Sequence, residues 1–192
     1  MIENKNNVKK RCFISIPISE SAKDKIEELY QDISNIRFVP RNNLHITVLF
    51  LSQIDLIEIE KIKEVMRDIK IAAFSIKLKG VDTFLKSGIL YISIENTDII
   101  KSLNYELARK INDSIGTNFR DKRGFNAHLT FARYKNIDKE VLKRFIEKYK
   151  NLDFGILNCN EIDLNESVLK RGGAEYKTIF INKLSNNRII KD

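Results

Sequence analysis

The two histidines of this chain stand in the same local frame. His45 in NNLHITVLFL and His128 in FNAHLTFARY are each followed, two residues on, by a threonine, Thr47 and Thr130. The chain holds six threonines in 192 residues, so two such coincidences would arise by chance roughly once in a thousand sequences of this composition. Each stretch alternates in the manner of a β-strand, on which residues i and i+2 share a face. His45 and Thr47 then look one way while Ile46, Val48 and Phe50 pack behind, and His128 and Thr130 do the same against Leu129 and Phe131. A fold for this sequence must supply two strands of that kind.

The rest of the chain alternates strands and helices around these two segments. RCFISIP alternates toward a strand and stops at Pro17; Ser19 is placed to cap a helix running to about residue 34, with Ala22, Ile26, Leu29, Tyr30 and Ile33 on one stripe. After Pro40 comes the first histidine strand, and then Asp55 with Glu58 three residues later forms a capping-box signature ahead of Ile59, Ile62, Val65, Met66 and Ile69. FSIKLKG reads as a strand ending at Gly80. The second half repeats this order. ILYISI is a strand, residues 98–114 a helix closed by Gly116, HLTFA the second histidine strand, and Asp138 opens a helix with Val141, Leu142, Phe145 and Ile146 inward. Strands at FGILN, EIDLNESVL and YKTIFINKL complete the chain. This order predicts an α+β fold over residues 1–192: one unit of two pseudo-symmetric lobes, each an antiparallel sheet with outer helices, and a cleft between them.

Composition narrows the function classes. No run of about 18 uncharged apolar residues is present, which argues against a membrane span. The polar start MIENKNNVKKRCF does not read as a secretory leader, and two isolated cysteines, Cys12 and Cys159, suit a reducing cytoplasm better than a disulfide framework. The net charge of +8 gathers in small groups, among them Arg37 with Arg41, Arg120 with Lys122 and Arg123, and Arg133 with Lys135. Such an excess suits a polyanionic partner, although a solvated basic face accounts for the composition alone equally well.

Two imidazoles facing one substrate can serve as general base and general acid in a single displacement, since their ordinary pKa of about 6.5 lies close to working pH. Two threonine hydroxyls are neutral donors suited to non-bridging phosphate oxygens. No cofactor is required by this arrangement, and two histidines with two distant cysteines fall far from zinc-ligand spacing. The chain has no glycine-rich phosphate loop, no G-x-S-x-G elbow and no C-x-x-C.

These residues resemble the two-histidine phosphoesterases, and within them the RNA 2′,3′-cyclic phosphodiesterases, also called 2′-5′ RNA ligases. The similarity runs through RCFISIPISE, FVPRNNLHITVLFLS, RGFNAHLTFARY and LNESVLKRGGAEYKTI. It implies that His45 and His128 are catalytic, the first as acid and the second as base, and that Thr47 and Thr130 bind phosphate. It also implies that Arg133 contacts substrate phosphate, which requires the strand to end or bulge near Ala132, and that Arg123 and Phe125 offer a charge and a stacking surface to RNA. Three positions depart from the family pattern: Ala127 and Ala174 where proline is usual, and Ser52 where glycine is. The implied activity is metal-independent opening of an RNA 2′,3′-cyclic phosphate to a 2′-phosphate by a cytoplasmic monomer, with reverse 2′-5′ ligation of RNA ends as a second outcome. The alternatives are a non-catalytic module that holds a nucleotide or RNA end, and a phosphodiesterase of the same superfamily acting on 2′-5′ oligoadenylate or another cyclic nucleotide.

Overall fold

In a computed structural model, which describes residues 8–119, 124–171 and 173–185, the predicted strands and helices form in the predicted order. The strands are β1 (Lys10–Pro17), β2 (Arg37–Phe38), β3 (His45–Ile54), β4 (Phe74–Phe84), β5 (Ile89–Glu95), β6 (Leu129–Arg133), β7 (Asp153–Cys159), β8 (Glu161–Lys170) and β9 (Gly173–Lys183). The helices are α1 (Glu20–Glu28), α2 (Leu56–Asp68), α3 (Asp98–Ile115) and α4 (Lys139–Tyr149). Capping chemistry explains where α2 and α4 begin. Asp55 accepts from the Glu58 amide while the Glu58 carboxylate accepts from the Asp55 amide, both at 2.8 Å, and Asp138 accepts from the amides of Glu140 and Val141. Gly116, at φ 70°, closes α3 in the left-handed conformation that L side chains resist. Helix α1 is shorter than its apolar stripe predicts, because the chain tightens into a 3₁₀ turn at Leu29–Gln31. Among the described residues no helix is long and apolar enough to cross a membrane.

All the strands join one curled antiparallel sheet in the order β7-β4-β5-β6-β3-β1-β8-β9, with β2 lying beside β6. That order is symmetric about the β6/β3 junction. Lobe one holds β3, β1, β8 and β9, and lobe two holds β6, β5, β4 and β7. The predicted lobes are therefore present, but they are not the two halves of the chain. β4 closes the first half and pairs with β5 in lobe two, whereas β8 returns from the second half to pair with β1. Two helices cross as well: α1, which follows β1, packs on β7, and α3, which follows β5, packs on β3, while α4 packs on β4 and α2 on α3 and β9. Apolar residues such as Ile14, Ile16, Ile46, Leu78, Leu90, Ile92 and Leu129 turn one face of the sheet toward Ile26, Ile62, Leu103, Leu107 and Leu142 of the helices. The opposite, concave face carries the histidines.

Candidate active site

Among the described residues, β3 and β6 pair at one Cα position, Ile46 opposite Leu129. Carried one residue either way, this antiparallel register sets Thr47 opposite His128 and His45 opposite Thr130, all on the face away from the core. His45 and His128 then become diagonal neighbours across two adjacent strands, a relation that spans about 7–8 Å. Neighbouring registers extend the pattern. Ser15 lies opposite both Thr47 and Asp163, and Tyr91 opposite both Thr130 and Asp82. Two rows thus cross the concave face, Asp163-Ser15-Thr47-His128 and Asp82-Tyr91-Thr130-His45. In each, a carboxylate and a hydroxyl lead to a threonine of one motif and the histidine of the other.

Backbone geometry orients the two imidazoles alike. His45 Nδ1 lies 2.7 Å from the carbonyl oxygen of Asn43, and His128 Nδ1 lies 2.7 Å from that of Asn126. A carbonyl only accepts, so each Nδ1 carries the proton and each neutral ring keeps Nε2 as its basic atom. At His45 that atom accepts from the Thr47 hydroxyl at 2.9 Å. Asn43 is itself fixed, because its side chain donates to the Ala174 carbonyl at 2.7 Å. The 3₁₀ turn Arg41–Asn43 is pinned to α1 by bonds from Arg41 to Glu20, Asp24 and Glu27. Arg41 therefore serves structure, and its charge is met within the chain.

Burial drives the pKa of both rings down. His45 falls from its ordinary value of 6.5 to about 4, chiefly by desolvation, with the bond to Asn43 opposing and the charge of His128 assisting. His128 shifts the same way, chiefly by desolvation, again opposed by its carbonyl bond and assisted by Arg133. Both rings are neutral at pH 7 in the free site, and protonating one discourages protonating the other.

Each ring also sits between two aromatics. Phe13 and Tyr176 lie 4.8 and 5.2 Å from His45, centroid to centroid, and Phe84 and Tyr91 lie 4.9 and 5.4 Å from His128. None of the four is evident from the motifs, since they arrive from β1, β9, β4 and β5. The period-two pattern of β1 does carry one signal: Phe13 and Ser15 face away from Cys12, Ile14 and Ile16, yet all five are buried. Such a strand lies at the centre of a sheet with something covering both faces. Behind Thr47, the Asn165 amide donates to Ser15 and the Thr178 hydroxyl to Asn165, both at 2.9 Å. Asp163 is buried beside them, one oxygen lacking a partner among the described residues, its pKa lifted to about 6 first by desolvation and then by Glu161.

Arg133 reaches the concave side through a break in register. β6 pairs Thr130 with Tyr91 but Ala132 with Leu90, leaving Phe131 without a partner on β5. Phe131 and Ala132 are consecutively buried and Arg133 emerges exposed. Phe125 is partly buried against the core. Arg123, with Arg120 and Lys122, lies outside the described residues. Among the described residues no three His, Cys, Asp or Glu side chains group as a metal site.

The profile of the AKAP7 2'5' RNA ligase-like domain matches residues 12–180. A protein of Methanocaldococcus jannaschii named RNA 2',3'-cyclic phosphodiesterase is 35% identical over 177 residues, covering 88% of this chain and 98% of its own. A protein of the same name from Archaeoglobus fulgidus is 28% identical over 178 residues, covering 88% and 97%. Among solved structures, E. coli LigT complexed with 3'-AMP superposes with a TM-score of 0.78 at 18% identity, covering 92% of this chain and 99% of that one.

Proposed function

Because this chain belongs to the two-histidine phosphoesterases, in their 2′-5′ RNA ligase-like family, we propose that it hydrolyses RNA 2′,3′-cyclic phosphate ends to 2′-phosphates with His45 and His128 as its proton carriers. The observation that carries this reading is the diagonal pair of imidazoles, each with Nδ1 tied to a carbonyl and Nε2 left for chemistry. Phosphorus binds between Thr47 and Thr130, whose hydroxyls donate to its non-bridging oxygens, and Arg133 adds positive charge on the His128 side. His128 Nε2 takes a proton from water as the water oxygen bonds to phosphorus. The bond from phosphorus to O3′ breaks, and His45 Nε2 gives its proton to O3′. One water is consumed, and the phosphate stays on O2′.

In the free site His45 is neutral at pH 7, so its proton must arrive with substrate. A phosphate anion beside Nε2 favours the imidazolium by direct attraction. The Thr47 hydroxyl, which donates to His45 in the free site, turns to the phosphate at the same moment. The acid is thereby formed only when there is something to protonate. If an RNA 5′-hydroxyl replaces water, the same steps give a 2′-5′ linkage.

The test is a side-by-side assay of three substrates: RNA ending in a 2′,3′-cyclic phosphate, a nucleoside 2′,3′-cyclic phosphate, and a 2′-5′ oligoadenylate, each with and without chelator. The expected result is a 2′-phosphate product from the cyclic ends, unaffected by chelator. A 3′-phosphate product, loss of activity with chelator, or turnover of the oligoadenylate alone would each overturn the reading.

A further inference from the structure

We propose that Arg37 and Arg133 form a second phosphate subsite, which takes the phosphate on the 5′ side of the terminal nucleotide, the one that joins it to the rest of an RNA. The inference rests on the activity proposed above. β2 is only two residues long, but its pairing with β6 sets Arg37 directly opposite Arg133. The next pair, Phe38 with Ala132, faces the helices, where Phe38 stacks on Tyr30 at 3.9 Å. Arg37 therefore projects to the concave side. The register break at Phe131 turns Arg133 to the same side, close enough to His128 to lower its pKa.

Paired guanidinium forks match the oxygens of a phosphate in shape as well as charge. The position of Arg37 is built in by a second element. Its guanidinium lies against Gly173 at the start of β9, in the space that any side chain at residue 173 would fill. Gly173 and Arg37 are thus a matched pair, and together they join lobe two to the closing hairpin at one end of the cleft. At about 3.3 Å per strand residue, Arg133 stands roughly 7–10 Å along β6 from Thr130, about the reach of one nucleotide from the reacting phosphorus.

The test compares a nucleoside 2′,3′-cyclic phosphate bearing a 5′-hydroxyl with the same compound bearing a 5′-phosphate, which adds the second anion and no second base. For the unaltered protein at low salt, kcat/KM for the 5′-phosphorylated compound should exceed that for the other by about tenfold, mostly through KM, with the advantage shrinking as salt rises. Arg37→Ala should bring the ratio close to one. Arg37→Lys keeps the stem and the charge and covers the case in which the alanine variant does not fold; losing the fork should lower the ratio about threefold. A ratio near one in the unaltered protein with both compounds hydrolysed, or a ratio unchanged by either substitution, overturns the subsite and leaves the activity standing. If neither compound is hydrolysed, it is the activity that fails.

Discussion

At the residue scale, the proposed chemistry depends on two imidazoles held neutral by burial and aimed by carbonyl groups. Replacing either His45 or His128 with alanine should lower turnover by roughly a hundredfold or more, the usual scale for a positioned acid or base. Substituting sulfur for O3′ separates their roles, because a thiolate leaves without being protonated. The His45→Ala variant should then recover much of its rate while His128→Ala stays impaired, and the opposite pattern would exchange the assignments. Burial also links His45 to stability. Its pKa is about 4 folded against 6.5 unfolded, so between those values the unfolded chain binds the proton first and stability falls as pH falls. Asp163, raised to about 6, acts in the opposite sense below that pH. The clean readout is therefore the thermal midpoint of the unaltered protein relative to that of His45→Gln, which should fall as pH drops from 6.5 to 4; a constant difference would mean that His45 is not held neutral. Each histidine is legible with its own threonine because period two puts the two on one face, whereas the meeting of the two motifs depends on the pairing of β3 with β6. Phe13, Phe84, Tyr91 and Tyr176 are not legible, because each reaches its histidine from another strand that carries no motif of its own.

At the scale of the elements, breaks in register do what regular strands cannot. β3 slips against β1 at Val48 and again at Leu51, and β6 slips against β5 at Phe131. Each slip exchanges the faces of all residues beyond it. In the sequence a slip appears only as two adjacent apolar residues, Val48 with Leu49 or Phe131 with Ala132, which any buried strand also shows. The bulge near Ala132 is predictable only through the family resemblance, which implies that Arg133 contacts substrate phosphate, and β2 is too short to carry any periodicity. The slip at Leu51 has a visible consequence: Ser52 sits at φ 57°, a conformation that costs a residue with a side chain roughly 1–2 kcal/mol. This is the position at which the family pattern has glycine. Ser52→Gly should therefore stabilise the fold by about 1 kcal/mol, after allowing for the greater freedom of glycine in the unfolded chain. Denaturant titration measures the change, and a loss of stability would show that the serine side chain contributes more than the strain it imposes.

At the scale of the whole molecule, the interleaving of the two lobes sets how they can come apart. Among the described residues, backbone pairing between them consists of Ile46 with Leu129 and an isolated bridge from Ala72, ahead of β4, to Ser185, beyond β9, a narrow seam that by itself would do little to keep them from opening independently. The covering helices oppose this, since α1 leaves β1 of lobe one to pack on β7 of lobe two, and α3 leaves β5 of lobe two to pack on β3 of lobe one. Unfolding either lobe strips apolar surface from helices whose connections belong to the other. The chain carries its own reporters of this coupling. Cys12 on β1 and Cys159 on β7 are each 1% exposed, one in each lobe, and burial raises their thiols to about 11 and 12. Neither thiol should react in the folded protein, where access and thiolate are both lacking. In a denaturant series followed by thiol labelling, we expect both to become reactive at one midpoint, coincident with loss of secondary structure. Exposure of Cys159 at lower denaturant than Cys12, or the reverse, would mean that the helix crossings do not bind the lobes into one unit, and the cleft between them would then be open to change in width.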